Sequence, residues 1–181
     1  VAPAVALHAG LEQAEVLLDV GGGTGLYALA CLERHPHLRA IVWDRPEVLK
    51  VAREMAAQSP AGDRLELRAG DMFTDPVPQA DVMLLSNILH DWDFPECHEL
   101  VGRLAPALPE GGRLLIHDVF LDDDLGGPLP IALYSARLFT VCAGRAYSGA
   151  EYREMLRQAG LTPGTTIAPT LADCGIITGT K

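Results

Sequence analysis

Short apolar runs of strand length alternate along this chain with stretches whose apolar positions recur every three or four residues. The strand-type runs are "EVLLDVG", "RAIVWD", "RLELRAG", "ADVMLLSN" and "GGRLLIHDVF". The helical period appears in "LYALACLERH", from Pro46 to about Ser59, and in "PECHELVGRLAPAL", "LPIALYSARLFTV" and "AEYREMLRQAG". Such alternation pairs strands in parallel through right-handed crossovers, and so predicts an open α/β sheet with helices on both faces. The last two runs, "GTTIAP" and "CGIITGT", follow one another without a helix and predict a closing antiparallel hairpin. Local signals agree: Ser148 and Glu151 have capping-box spacing, and Gly160 stands where a helix end takes a left-handed residue. The opening "VAPAVALHAGLEQ" reads as a piece of helix with little to pack against, and no initiator Met precedes it. Residues 1–13 are therefore expected to be the remnant of a linker or helix from a preceding domain, with residues 14–181 forming the folded unit of a longer protein.

Composition narrows the classes. With 181 residues, 49% hydrophobic and 21% charged, the chain has enough apolar material for one domain with a real core. Its formal charge of −10, with 14 scattered Lys and Arg, argues against nucleic acid and anionic membrane surfaces as partners. No apolar run approaches the roughly 20 residues that span a bilayer, and the first residues lack the basic start of a secretory signal, so a cytoplasmic location is expected. Cys31, Cys97, Cys142 and Cys174 lie far apart, which predicts reduced, mostly buried thiols rather than a zinc cluster or disulfide framework. The acidic run Asp122 to Asp124 in "FLDDDLGGPLP" reads as a solvated turn, and no metal is expected.

The candidate chemistry begins at "VLLDVGGGTGLYAL", where Asp19 is followed by four glycines in five residues before a helical pattern resumes. In an open α/β sheet, ligands bind at the carboxyl ends of the strands where strand order reverses, and the first strand usually lies there. Glycines at that place let the backbone come close to a ligand, while the next helix offers free N–H groups. Gly21, Gly23 and Gly25 are spaced G-x-G-x-G, and Leu26 takes the place of the last glycine of a dinucleotide motif, which disfavours NAD. Asp44, ending "IVWD", is placed to accept hydrogen bonds from ribose hydroxyls. In "GDMF", Asp71 suits an exocyclic amine, and Met72 and Phe73 suit the face of an adenine.

In this order "LLDVGGGTG", "VWDRPEV", "GDMF", "LSNILHDWDFPEC" and "GGRLLIHDVF" resemble the successive motifs of S-adenosylmethionine-dependent O-methyltransferases of the caffeate and hydroxyindole type, which include bacterial polyketide-tailoring and pigment enzymes. The resemblance covers nearly the whole chain, and "HDW" is its most specific part. It implies a class I methyltransferase fold, a Rossmann-like seven-stranded, mainly parallel sheet with a reversed last strand. It also implies that Gly21, Gly22 and Gly23 meet the methionine end of S-adenosylmethionine, Asp44 the ribose, and Asp71, Met72 and Phe73 the adenine, all within a cofactor site running from Asp19 to Ser86. The implied reaction is methyl transfer to a hydroxyl of a small, aromatic or polyketide-like acceptor, releasing S-adenosylhomocysteine. An imidazole with an ordinary pKa of about 6.5 can accept a phenol or enol proton, and by resemblance His90 is the general base.

Relatives flank this histidine with two acidic side chains. One matches Asp118, where Glu is more usual; the other falls on Ala146 in "GRAYS", where the family has an acid. Ser86 stands where some members have Lys. Trp92 is expected to wall the acceptor pocket, and Asp91 and Asp93 to cap the following helix. Leu138, Phe139 and Cys142, in the stretch from Tyr134 to Cys142, stand either in the acceptor pocket or in plain core packing. His35, His37 and His98 read as packing or capping histidines. Family enzymes carry a helical N-terminal domain that swaps across a homodimer and closes the pocket, so a homodimer is expected of the full-length protein, with an exposed apolar patch around Leu138 and Phe139 here. A catalytically silent methyltransferase-like binding domain and an NAD-dependent oxidoreductase are the rival readings.

Overall fold

The computed structural model describes residues 1–181. Its central sheet contains β1 (Val16–Val20), β2 (Arg39–Asp44), β3 (Leu65–Ala69), β4 (Val82–Ser86), β5 (Arg113–Leu121), β7 (Thr162–Pro163) and β9 (Cys174–Thr180) in the order β3-β2-β1-β4-β5-β9-β7. The strands from β3 to β5 are all parallel, and β9 runs antiparallel to both β5 and β7. Two further short strands attach to this path: β6 (Tyr147–Ser148) beside the end of β5, and β8 (Ala168–Pro169) beside β9. The chain builds outward from β1 through β2 to β3 and then returns to β4 on the other side of β1, so strand order reverses between β1 and β4.

The expected closing hairpin forms around β9, but its partner strand is split. Residues 164–167 leave the ladder between β7 and β8, and each of those pieces ends in a proline without an N–H to donate. The helix expected from Pro46 begins at Leu49 as α3 (Leu49–Gln58), residues 46–48 forming a turn.

Alternate side chains of the strands feed two cores. Leu17, Val42, Leu84 and Leu115 pack against α2 (Leu26–Arg34), α3 and α1 (Ala2–His8). Leu18, Val20, Met83 and Ile116 pack on the other face against α4 (Phe94–Ala107) and α6 (Gly149–Gln158). Strands buried on both faces read as continuous apolar runs, which is what made them legible.

The opening helix is not loose. Val5, Ala6, Ala9 and Leu11 are buried in the α2-side core, His35 Nε2 lies 3.2 Å from the Ala6 carbonyl, and Arg113 donates to the carbonyls of Ala9 and Gly10 at 3.1 and 2.6 Å. The expectation that it would find little to pack against therefore fails. Apolar residues at positions 5, 6 and 9 give it a buried stripe that α2 covers.

The capping box forms as spaced, Ser148 Oγ accepting from the Glu151 amide at 3.2 Å while Glu151 accepts from Ser148 N at 2.7 Å. Gly160 has φ +82°. All four cysteines are free; Cys31 and Cys97 are buried, and burial pushes both thiols up to about 12. In the Asp122 to Asp124 run, Asp123 accepts from Ala150 N at 2.8 Å and Asp124 from Gly126 N at 2.9 Å, so these side chains serve backbone turns. No group of three or more His, Cys, Asp or Glu is placed to hold a metal ion, and no helix is long and apolar enough to cross a membrane.

Candidate active site

The strand-order reversal opens a cleft of about 510 Å³ at the carboxyl ends of β1 and β2, lined among others by Gly21, Asp44, Asp71, Met72, Phe73, Ile88 and Asp91. Gly21 has φ +64°, and a Cβ there would lie 2.6 Å from Ile88 Cδ1, so only glycine lets the loop turn this close to the segment after β4. The loop is tied to β2 by Asp44, whose Oδ2 accepts from Gly23 N at 2.9 Å and whose Oδ1 accepts from Arg45 N at 2.7 Å. Each carboxylate oxygen carries a second lone pair, so Asp44 keeps capacity for a ligand. Beyond Gly23 the space is open, with nothing within 4 Å of where a Cβ would be.

Behind Gly22 lies Asp19, fully buried, with neither carboxyl oxygen hydrogen-bonded. Burial pushes its pKa up to about 7, against a smaller lowering by the Ala28 amide and with a still smaller push from the negative Asp44. Asp71 orders its own turn by accepting from Phe73 N at 2.8 Å. The cleft lining thus carries three carboxylates, Asp44, Asp71 and Asp91, against one cation, Arg45, which also reaches Glu47 at 3.6 Å.

Next to the cleft, Leu89–Asp91 forms a single 3₁₀ turn capped by Trp92 and held from two sides. Cys97 Sγ donates to the Leu89 carbonyl at 3.1 Å and Tyr147 O–H to that of Trp92 at 2.7 Å, while Cys142 Sγ, whose nearer acceptor is the Leu138 carbonyl at 3.3 Å, lies 3.7 Å from the His90 carbonyl. Gly144 passes directly beneath, where a Cβ would collide with the carbonyl oxygens of His90 and Trp92.

This frame fixes the imidazole of His90, which is 6% exposed. Its Nδ1 lies 2.6 Å from Asp118 Oδ1, and Asp118, 1% exposed, also accepts from Val119 N at 2.8 Å and from Tyr152 O–H at 3.2 Å. With Nδ1–H given to a carboxylate, the neutral ring carries its lone pair on Nε2. That nitrogen has the Tyr134 hydroxyl at 3.3 Å and Asp91 Oδ1 at 3.7 Å, and Asp91 also lines the cleft. Burial pulls the pKa of His90 down, but the Asp118 hydrogen bond and the charges of Asp118 and Asp91 outweigh it and leave it above the ordinary 6.5. A base of this form can take a proton at a fixed point beside the cleft.

Several expected site residues fall elsewhere. Ser86 does not line the cleft; its hydroxyl lies 2.8 Å from Nδ1 of the fully buried His117, whose pKa burial lowers to about 4. Trp92 lines the cleft itself, packed edge-on to Phe73 with ring centroids 4.6 Å apart. Asp93 caps α4, accepting from Phe94 N at 2.7 Å, whereas Asp91 turns toward His90 and the cleft. On α5 (Leu129–Leu138), Leu138 is buried, because it shares the core-facing side with Ile131 and Ser135; the outer side exposes Leu129 and Leu133, followed by Phe139 and Val141. The apolar patch is thus centred away from Leu138. Ala146 is fully buried, packed with Val119 and Ile131.

Two contributors were not picked out from the sequence. Tyr134 lies four residues before Leu138, a spacing that puts it on the same side of α5. Tyr152 is the hydroxyl-bearing member of the apolar stripe of α6. His35 and His37 serve backbone carbonyls, and His98 packs on Phe94 at 4.5 Å.

A family model described as an O-methyltransferase domain matches residues 2–162. The chain is 40% identical over 152 residues, 83% of its length, to a 3-hydroxy-5-methyl-1-naphthoate 3-O-methyltransferase of Streptomyces sahachiroi, of which it covers 44%. Among solved structures it superposes on an O-methyltransferase family 2 protein of Planctomyces limnophilus, in complex with apigenin, with a TM-score of 0.97 and 52% identity, covering all of this chain and 57% of that one. Human N-acetylserotonin methyltransferase in complex with SAM superposes with a TM-score of 0.91 and 29% identity, over 99% of this chain and 51% of that one. The chain therefore spans about half the length of the relatives it matches.

Proposed function

This chain belongs to the O-methyltransferase domain family, and from that premise we propose that it serves methyl transfer from S-adenosylmethionine to a hydroxyl of a small aromatic or polyketide-like molecule, with His90 as general base. The observation that carries the reading is the orientation of His90. Asp118 holds Nδ1 at 2.6 Å, leaving Nε2 as the proton acceptor, and Asp91 joins that nitrogen to the cleft.

The cleft residues fit the cofactor. A lining with three carboxylates and one arginine favours a ligand bearing a sulfonium and an ammonium, and disfavours the pyrophosphate of NAD. The open space beyond Gly23, the spare lone pairs of Asp44 and the Met72 and Phe73 side chains suit the methionine end, the ribose and the adenine respectively. When bound, S-adenosylmethionine supplies an activated methyl group: the acceptor oxygen forms the C–O bond while the C–S electron pair returns to sulfur, giving S-adenosylhomocysteine. The chain's own task is to hold the acceptor oxygen in line and remove its proton. His90 Nε2 takes that proton, and Asp118 stabilises the resulting imidazolium. Tyr152 grips the second oxygen of Asp118 and keeps this single carboxylate oriented, with Ala146 standing where the family resemblance implies a second acid.

The remaining wall of the acceptor pocket we assign to a helical domain preceding this one, in a cytoplasmic homodimer; the opening helix itself packs into the present core and belongs to this unit. The open apolar row of Leu129, Leu133, Phe139 and Val141 supports such a cover. Calorimetry of this chain with S-adenosylmethionine and with NAD, followed by labelled-methyl transfer to a panel of phenols by the complete natural polypeptide, tests the reading. Saturable binding of S-adenosylmethionine with turnover is expected. Binding of NAD alone would favour an oxidoreductase, and cofactor binding without transfer to any acceptor would mean a silent domain.

A further inference from the structure

The outward nitrogen of His90 already has a hydroxyl against it, and that hydroxyl belongs to the protein. Tyr134 Oη lies 3.3 Å from Nε2, with the two rings edge-on at 89° and their centroids 5.7 Å apart. Because Nδ1 is given to Asp118, the Tyr134 O–H is the donor to the Nε2 lone pair. The phenol stays protonated: burial first, then the negative Asp118 and Asp91, push its pKa above the ordinary 10. A separation of 3.3 Å is long for such a bond, so an incoming hydroxyl can displace it.

This tyrosine differs from its neighbours. Tyr147 and Tyr152 are fully buried, their hydroxyls donating to the Trp92 carbonyl and to Asp118. Tyr134 is 37% exposed, and its hydroxyl has no hydrogen-bond partner besides His90. Its one hydrogen-bond partner is the nitrogen to which the reacting hydroxyl must come.

Resting on the methyl-transfer reading above, we propose that Tyr134 is a second acceptor-binding residue that recognises oxygen. Without an acceptor it covers Nε2. When the acceptor hydroxyl takes over Nε2, the released Tyr134 O–H donates to the acceptor oxygen. One lone pair of the acceptor oxygen forms the bond to the methyl carbon as the C–S pair returns to sulfur, while the acceptor O–H bond breaks, its proton ending on His90 Nε2 and its electron pair remaining on oxygen. Tyr134 keeps its own proton throughout and stabilises the negative charge that grows on the oxygen. The contact also discriminates. A hydroxyl oxygen has two lone pairs, one for Tyr134 and one for the methyl carbon, whereas an amine nitrogen has one and cannot use it twice.

The test compares wild type with Tyr134→Phe in the complete natural polypeptide, using phenols of graded acidity and a matched aniline. The kcat for the least acidic phenols should fall about tenfold to 100-fold, less for acidic ones, whose weakly basic oxyanions need the donor less. KM should stay level or fall, because the competing hydroxyl is gone, and any aniline transfer should be unaffected. A uniform loss across phenols and aniline, or a raised KM with unchanged kcat, overturns the proposal. No transfer by wild type overturns instead the reading on which it rests. Independently of turnover, the ¹⁵N resonance of His90 Nε2 in this chain should move in Tyr134→Phe toward that of a free acceptor nitrogen, and an unmoved resonance rules the pairing out.

Discussion

Asp118 reaches His90 from β5 to the turn after its neighbouring strand β4, and its Oδ1 sits 2.6 Å from Nδ1 with almost no solvent at either group. The bond sets the tautomer, the ring orientation and the basicity of Nε2 together.

His90→Ala should cut turnover of the complete polypeptide on the order of 10² to 10⁴-fold while leaving S-adenosylmethionine affinity nearly intact, since a general base contributes about that much and touches the acceptor. In wild type, turnover should rise with pH through a His90 pKa above 6.5, because only the neutral ring accepts a proton. Asp118→Asn removes the raising partner and leaves burial to act, so the pKa should drop below that of wild type. The acid limb of the rate profile then moves to lower pH and its plateau falls. A limb that stays put would detach Asp118 from the base.

Asp44→Ala should weaken S-adenosylmethionine binding by about 1 to 3 kcal/mol in calorimetry, through loss of a charged acceptor and of the Gly23 amide's partner. Unchanged affinity would place the ribose elsewhere.

Asp19 predicts a pH dependence of stability with a definite sign. Its folded pKa of about 7 lies above the 3.8 of an exposed aspartate, so the folded state holds the proton more tightly. Stability is then greatest below the unfolded value and declines as pH rises toward the folded one, by on the order of 4 kcal/mol at about 1.4 kcal/mol per pH unit. Asp19→Asn cannot titrate, and its unfolding free energy should be flatter across the same window. Parallel curves for the two proteins would show that Asp19 is ionised throughout.

Gly144→Ala forces a methyl group into the carbonyls of His90 and Trp92 and should cost about 1 to 3 kcal/mol of stability, with a loss of turnover as the base shifts. Gly102→Ala on α4, where nothing lies within 4 Å of a Cβ, should be neutral or stabilising by up to about 1 kcal/mol. Equal effects in a chemical-denaturation series would show that the turn after β4 is not held from beneath.

The sequence by itself determined the five parallel strands and the switch point, because strands buried on both faces must be apolar runs and a crossover connection has one hand, but not the short β6 or the split of the hairpin partner into β7 and β8. It also fixed the glycine loop, since Gly21 is dictated by its own backbone angle, and the α6 cap, which closes within four residues. What it could not determine are the relationships between residues far apart in the chain. Asp118 to His90 spans 28 positions and was legible only through the family resemblance, while Tyr134 to His90 spans 44 and no sequence pattern records it. Whether Leu138 faces inward, whether Ser86 serves His117 or a ligand, and whether the opening helix is covered were decided by which surfaces the packed sheet and helices brought into contact. Periodicity specifies that a face will be buried; only the assembled tertiary structure selects the face that covers it.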